Sequence, residues 1–157
     1  MKENVCELLK EQITKSPFTK FMGMTILDIA PGYAKAEARY SQEMSNFNGL
    51  IHGGAIFALI DEVSGAAASS HGTTVIGLTM NVTFIKPPQM DSTLVAEAKE
   101  ESRGKRTATY HIEVLQKGDK EDQKIAICQA LVYRKDKNLP FLGKDEADRD
   151  DQRSQIE

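Results

Sequence analysis

The segment from Asn46 to Gly72, NFNGLIHGGAIFALIDEVSGAAASSHG, reads as one long, almost wholly apolar helix, yet it carries Asp61 and Glu62 in its middle. A carboxylate set among Ile, Leu, Phe and Ala is costly to desolvate. A fold for this chain must therefore cover one face of the helix with a core and give the carboxylate face some other use.

His52-Gly53-Gly54 marks the helix start. Two glycines there let another group come close to the backbone. The first N–H groups of a helix lack internal partners and lie at the positive end of its dipole, so they suit an anion or a polarised carbonyl oxygen. At about 100° per residue, Ile56, Leu59, Ile60, Val63 and Ala67 cluster on one side, which should face a sheet. Asp61 falls nearly opposite, among Phe57, Ala58, Gly65 and Ala68. A water-facing strip would carry Lys, Glu and Gln. Small and apolar residues instead imply close approach by a second subunit with a ligand between, as in an isologous dimer. Asp61 then has two readings: a partly desolvated base or nucleophile for acyl transfer, or a solvated Asp on one exposed strip. Glu62 sits nearer the edge of the face, where a salt bridge or solvent is expected. Asn46 and Asn48 lie in the loop before the helix and serve either turn formation or orientation of a water or acyl carbonyl.

Elsewhere, Val5, Leu8, Leu9 and Ile13 predict an amphipathic helix over about residues 2–15, stopped by Ser16-Pro17. Strands are expected at 24–30, 33–40, 74–88, 92–101, 106–116 and 124–135. In the second, Ala34, Ala36, Ala38 and Tyr40 share the inner face, so whatever packs on them must come close. The connections 103–105 and 117–122 are hairpin-length, which implies antiparallel pairing. One long helix against such a sheet is an α+β layout with a single domain over 1–135 and a charged, solvated tail over 136–157.

Composition excludes some classes. With 157 residues, a net charge of −3 and 27% charged residues, the chain lacks the Lys/Arg excess of a nucleic-acid binder. No apolar run approaches the ~20 residues of a membrane span, and the N-terminal stretch MKENVCELLKEQ is polar and amphipathic, unlike a signal peptide. Cys6 and Cys128 form no ligand cluster and are expected as free thiols of a cytoplasmic protein. His71, read as part of the helix C-terminal cap region, and His111, on an outward strand face, have no partner at metal spacing, so no metal site is expected.

The run N-F-N-G-L-I-H-G-G-A-I-F-A-L-I-D resembles the signature of hotdog-fold acyl-CoA thioesterases, the PaaI-type group in particular, and the likeness extends from about Phe18 to Arg134 through TMNVTFIKP and RGKRTATYHIEV. It implies a curved antiparallel sheet wrapped around one helix, dimers that often pair again into tetramers, and an active site between subunits. It implies that the Gly53 N–H holds the thioester carbonyl oxygen, that Asp61 of the partner helix acts as nucleophile or general base, that Asn46 positions water or the acyl group, and that His52 shapes the loop. It places acyl-CoA against Gly54, the segment from Thr79 to Pro88 with Lys86, and the turn Arg103, Gly104, Lys105 and Arg106; CoA is part of the substrate and no separate cofactor is implied. Relatives place a helper hydroxyl where this chain has Gly77 or Thr79. A non-catalytic acyl-CoA-binding module and a hotdog hydratase using His52 are the alternatives.

Overall fold

The computed structural model describes residues 4–142; residues 1–3 and the charged stretch from 143 onward lie outside them. Helix α1 (Val5–Lys15) is capped by the Asn4 side chain, which accepts the Cys6 N–H. Pro17 does more than stop it. Ser16 turns the chain, and Pro17 then opens a second short helix, α2 (Pro17–Phe21), because a proline's fixed φ and missing N–H suit a first helical turn.

Strands β1 (Met24–Ala30) and β2 (Tyr33–Arg39) form a hairpin, a single 3-10 turn spans Gln42–Met44, and helix α3 runs Gly53–Ser69. Strands β3 (Thr73–Phe84), β4 (Thr93–Arg103), β5 (Thr107–Gln116) and β6 (Gln123–Asn138) follow. The sheet order is β1-β2-β4-β5-β6-β3, antiparallel throughout. This is the expected α+β arrangement of one helix held by a curved antiparallel sheet.

The helix seats on alanines. Ala34, Ala36 and Ala38 of β2 pair with Ala98, Ala96 and Leu94 of β4, all buried. Their small side chains let α3 lie close, and Ile56, Leu59, Ile60, Val63 and Ala67 fill the gap as the periodicity expects. The Tyr40 hydroxyl, at the end of that inner row, donates to the Ala55 carbonyl at 3.0 Å and pins the first turn of α3.

Two elements depart from their expected bounds. β6 continues to Asn138, and Leu139 is buried beyond it, so the chain stays on the core past residue 135. β3 ends at Phe84, before Pro87-Pro88. Its register with β6 slips between Gly77 and Thr79, leaving Leu78 as the extra residue of a bulge.

The sheet's two edges differ. β1 has seven residues, a bulge between Ile26 and Asp28, and a Lys10 ammonium donating to the Leu27 carbonyl. These are ordinary devices that blunt an edge. β3 has twelve residues, none of them charged, with Ile76 44% and Leu78 54% exposed.

Candidate active site

The start of α3 is built by its own histidine. His52, the N-cap, accepts the Gly54 N–H on Nδ1 at 2.8 Å. Its carbonyl accepts the N–H groups of Ala55 at 3.0 Å and Ile56 at 3.4 Å. Of the orphan donors at this helix end, the Gly53 N–H alone is left without an acceptor among the described residues. An Nδ1 that accepts leaves the ring proton on Nε2, so His52 faces outward as a donor rather than a base. A hydratase reading that needs His52 to remove a proton loses its base.

The glycines serve different contacts. A Cβ on Gly54 would lie 3.0 Å from His52 Nδ1, a tight contact that would shift the ring from its capping position by a few tenths of an ångström. A Cβ on Gly53 would meet only the Phe84 ring, at 3.5 Å, an ordinary contact that also shows where the end of β3 lies. In the preceding loop, Asn46 Oδ1 accepts from the N–H groups of Asn48 at 2.9 Å and Leu50 at 3.2 Å, which closes the loop over its tip. Its amide nitrogen has no partner among the described residues and remains available.

Beyond this end, the open side of α3 is a stripe at four-residue steps: Gly53, Phe57, Asp61 and Gly65. It is narrower than expected. Ala58 and Ala68 are buried, Ala58 at the edge of a groove that Phe18, Phe21 and Met22 also line. Asp61 is exposed in one chain and opens on a groove of about 300 Å³ shared with Leu9, Ile13, Gly65 and Val75. Burial already pushes its carboxyl above the usual range. Glu62 is half-buried and pairs with no cation among the described residues: the buried Thr19 hydroxyl of α2 donates to it at 3.1 Å. Burial raises its proton affinity too, with the Thr19 bond opposing and the Asp61 charge adding to the rise. The two carboxylates therefore divide, one tied to the scaffold and one free.

Gly53 and Asp61 stand eight positions apart on one helix, about 12 Å along its axis. One carbonyl group cannot touch both from a single chain.

The remaining expected site residues fall in two places. Lys86 follows β3 on the Gly53 side, its backbone held by the Ile125 carbonyl. The turn Arg103–Arg106 lies at the other end of the sheet, in the row Thr107–Tyr133–Ile76. Ten residues and one bulge separate Ile76 from Lys86, so the two places are roughly 30 Å apart along the strand. Gly77 pairs with buried Val132 and shares its helix-facing side, while Thr79, past the bulge, pairs with Leu131 on the outer side.

Arg103 is already engaged: its Nε lies 3.4 Å from Glu100 Oε1. Glu100 also accepts from the fully buried Tyr110 hydroxyl and meets His71 Nε2, each at 2.7 Å. His71 thus has a carboxylate partner that local spacing could not reveal, since β4 brings it from 29 positions away. Burial would raise the Glu100 carboxyl, but the Tyr110 and His71 hydrogen bonds and the nearby cations outweigh it and hold it below the usual range. His111 points outward toward Glu113. Among the described residues no three His, Cys, Asp or Glu side chains are grouped as a metal would require, and no helix is long and apolar enough to cross a membrane.

A groove of about 370 Å³ opens beside His52 and Gly54, walled by Phe18, Phe21, Met22, Met44, Ala55 and Ala58. Phe21 is 82% exposed and lines this groove with Met22, whereas Met24 is core.

The sequence profile of the thioesterase superfamily matches residues 48–123. A putative esterase of Archaeoglobus fulgidus is 34% identical over 140 residues, 88% of this chain and 89% of that protein. The acyl-coenzyme A thioesterase PaaI of Escherichia coli is 29% identical over 115 residues, 73% of this chain and 80% of that one. The solved structure of the E. coli PaaI protein from the phenylacetic acid degradation operon matches the fold with a TM-score of 0.81 at 22% identity, covering 88% of this chain and 99% of that one. Sequence kinship along most of the chain, joined to the helix-in-sheet fold, places it in the thioesterase superfamily as a PaaI-type hotdog thioester hydrolase.

Proposed function

We propose that the protein hydrolyses acyl-CoA to free acid and CoA at a site made by two copies of the chain. The observation that carries this reading is the lone free Gly53 N–H on the same open stripe as Asp61, too far from it to share a substrate. β3 supplies the geometry. Its long, uncharged, unpaired edge invites an antiparallel copy of itself. A two-fold axis at that edge lays the Phe84 end of one strand beside the Val75 end of the other. Gly53 stands at the first end, and Asp61 with Val75 at the second. Each Gly53 then faces the partner's carboxylate, and Lys86 of one chain nears the basic turn of the other.

In this site the Gly53 N–H, at the positive end of α3, steadies the carbonyl oxygen as negative charge develops there. Asp61, its proton affinity raised by burial, takes a proton from water as that water attacks the carbonyl carbon, and the CoA thiolate leaves. The free amide of Asn46 orients the water or the acyl group. The helix-facing Gly77 offers no hydroxyl beside Asp61, so a second water fills that place. The reading asks for no cofactor beyond the CoA of the substrate. The Phe- and Met-walled groove next to Gly54 receives the acyl group, which favours aryl or medium-chain acids. The dimer, and any tetramer built from it, works in the cytoplasm, where free Cys6 and Cys128 persist.

A thiol-release screen across acetyl-, phenylacetyl-, octanoyl- and palmitoyl-CoA tests class and substrate together. Turnover highest on the aryl or medium-chain esters, lost in Asp61→Asn, is the expected result. No thiol release from any of them, or Asp61→Asn turning over as fast as wild type, contradicts it. Single turnover in ¹⁸O-water bears on the chemistry: label in the Asp61 carboxylate identifies a nucleophile whose mixed anhydride water opens at the aspartyl carbonyl, whereas a base leaves Asp61 unlabelled and forms no anhydride that hydroxylamine can trap.

A further inference from the structure

The basic turn between β4 and β5 is held from beneath by a cation outside the expected site. Arg134 of β6 donates its backbone N–H to the Arg106 carbonyl at 2.7 Å. Its guanidinium Nη1 donates to the Gly104 carbonyl at 2.6 Å and the Lys105 carbonyl at 3.4 Å. Three successive carbonyls of the turn therefore point at one residue. Arg134 Nε is buried with no acceptor, one of two such side-chain atoms among the described residues. Leaving a charged donor unmet costs stability, so this side chain's use lies in what its Nη1 holds.

Peptide planarity fixes the consequence. The N–H of each peptide unit points opposite to its C=O. With the Gly104 and Lys105 carbonyls turned inward to Arg134, the N–H groups of Lys105 and Arg106 turn outward, and neither finds a backbone acceptor. Two successive outward amides form an anion-binding concavity. Around it, Arg103 is steered by Glu100 and Arg106 by the Tyr133 hydroxyl at 3.3 Å, while the Lys105 ammonium is exposed and has no acceptor among the described residues.

We propose that Arg134 is a positioning residue for the nucleotide end of the substrate: it folds the 104–106 backbone so that two amides and the Lys105 and Arg106 cations converge on a CoA phosphate. The inference rests on the acyl-CoA reading above. Both bonds leave from the single nitrogen Nη1, so a lysine ammonium, which also carries several donors, keeps part of the hold, whereas glutamine brings no charge.

The test compares one acyl group carried on CoA and on pantetheine, which lacks phosphate and nucleotide. In Arg134→Gln, KM for the acyl-CoA rises roughly tenfold, the worth of a charge-assisted hydrogen bond, with kcat little changed, and Arg134→Lys falls between Gln and wild type. KM and kcat for the acyl-pantetheine stay at wild-type values, which also shows that the variants fold. An equal loss on both substrates, or a wild-type KM in Arg134→Gln, overturns the positioning role. A Lys105→Ala/Arg106→Ala variant separates the two readings. If it raises KM for acyl-CoA while Arg134→Gln does not, Arg134 has no such role and the CoA reading stands. If both variants leave that KM unchanged, the turn does not hold CoA and both readings fail there.

Discussion

His52 caps its own helix by accepting the Gly54 N–H on Nδ1 at 2.8 Å, and in doing so leaves its neighbour Gly53 as the free donor. The cap selects which amide is available. A methyl at position 54 would sit 3.0 Å from Nδ1 and 3.2 Å from Cε1 and push the ring aside. Gly54→Ala should therefore cost about 1 kcal/mol, the usual value of a lost N-cap, and lower kcat. His52→Asn, whose side chain also caps, should keep more of the stability than His52→Ala; thermal melts of the three variants check the order.

Gly53→Pro removes one N–H and little else. Position 53 is the first residue of α3, where proline is favoured, and His52 at φ −64°, ψ 132° already has the conformation a following proline demands. We expect kcat to fall on the order of 10²–10³-fold, as when an oxyanion donor is lost, with a melting temperature close to wild type. A variant as active as wild type removes Gly53 from the chemistry.

For Asp61 the sign of the pH effect is set by burial. The folded protein holds this proton more tightly than the unfolded chain does, so ionised Asp61 costs stability. That cost is absent below the ordinary carboxylate range, about pH 4, and grows as pH rises through the elevated folded value. Asp61→Asn should melt higher than wild type at pH 7, with the gap closing toward pH 4, while losing most turnover. In the wild type, kcat/KM should rise with pH through a value above the ordinary carboxylate range.

Glu100 acts in the opposite sense. Hydrogen bonds from Tyr110 and His71 hold its folded carboxyl below its unfolded value, so its contribution is present above about pH 4.3 and is lost as pH falls through the folded value. Glu100→Ala strands the fully buried Tyr110 hydroxyl and should cost about 1–3 kcal/mol at pH 7. Urea melts at pH 7 and pH 4 should show the difference between variant and wild type shrinking with acid.

Much of this fold is legible because local periodicity and sheet packing agree. The alternation of Ala34, Ala36, Ala38 and Tyr40 marks both the strand and the close seat of α3, and the helical spacing of Ile56, Leu59, Ile60, Val63 and Ala67 marks the seated face. The open face is only half legible. Angle alone groups Ala58 and Ala68 with Asp61, whereas both are buried in the fold, Ala58 beside Phe18, Phe21 and Met22. Helix α2 itself is masked by Pro17, since proline both ends one helix and begins another.

Long-range pairs account for the rest. Nothing near His71 announces Glu100, and nothing near Glu62 announces Thr19, because strand pairing and helix docking bring them together. The Gly77/Thr79 ambiguity is a bulge, and only the register with β6 tells which residue faces the helix. Arg134 reads as one more alternating strand residue until its bonds to the turn carbonyls are seen.

The site shared between two chains is tested most directly by mixing two inactive proteins. Asp61→Asn supplies an intact Gly53 N–H and Gly53→Pro an intact carboxylate; a mixed dimer holds one site with both parts and one with neither. Co-expressed or refolded together, the two variants should recover roughly a quarter of wild-type turnover, because random pairing makes half the dimers mixed, each with one working site. A mixture that has exchanged subunits yet turns over no faster than the sum of its parents would contradict a site built from Gly53 of one chain and Asp61 of the other.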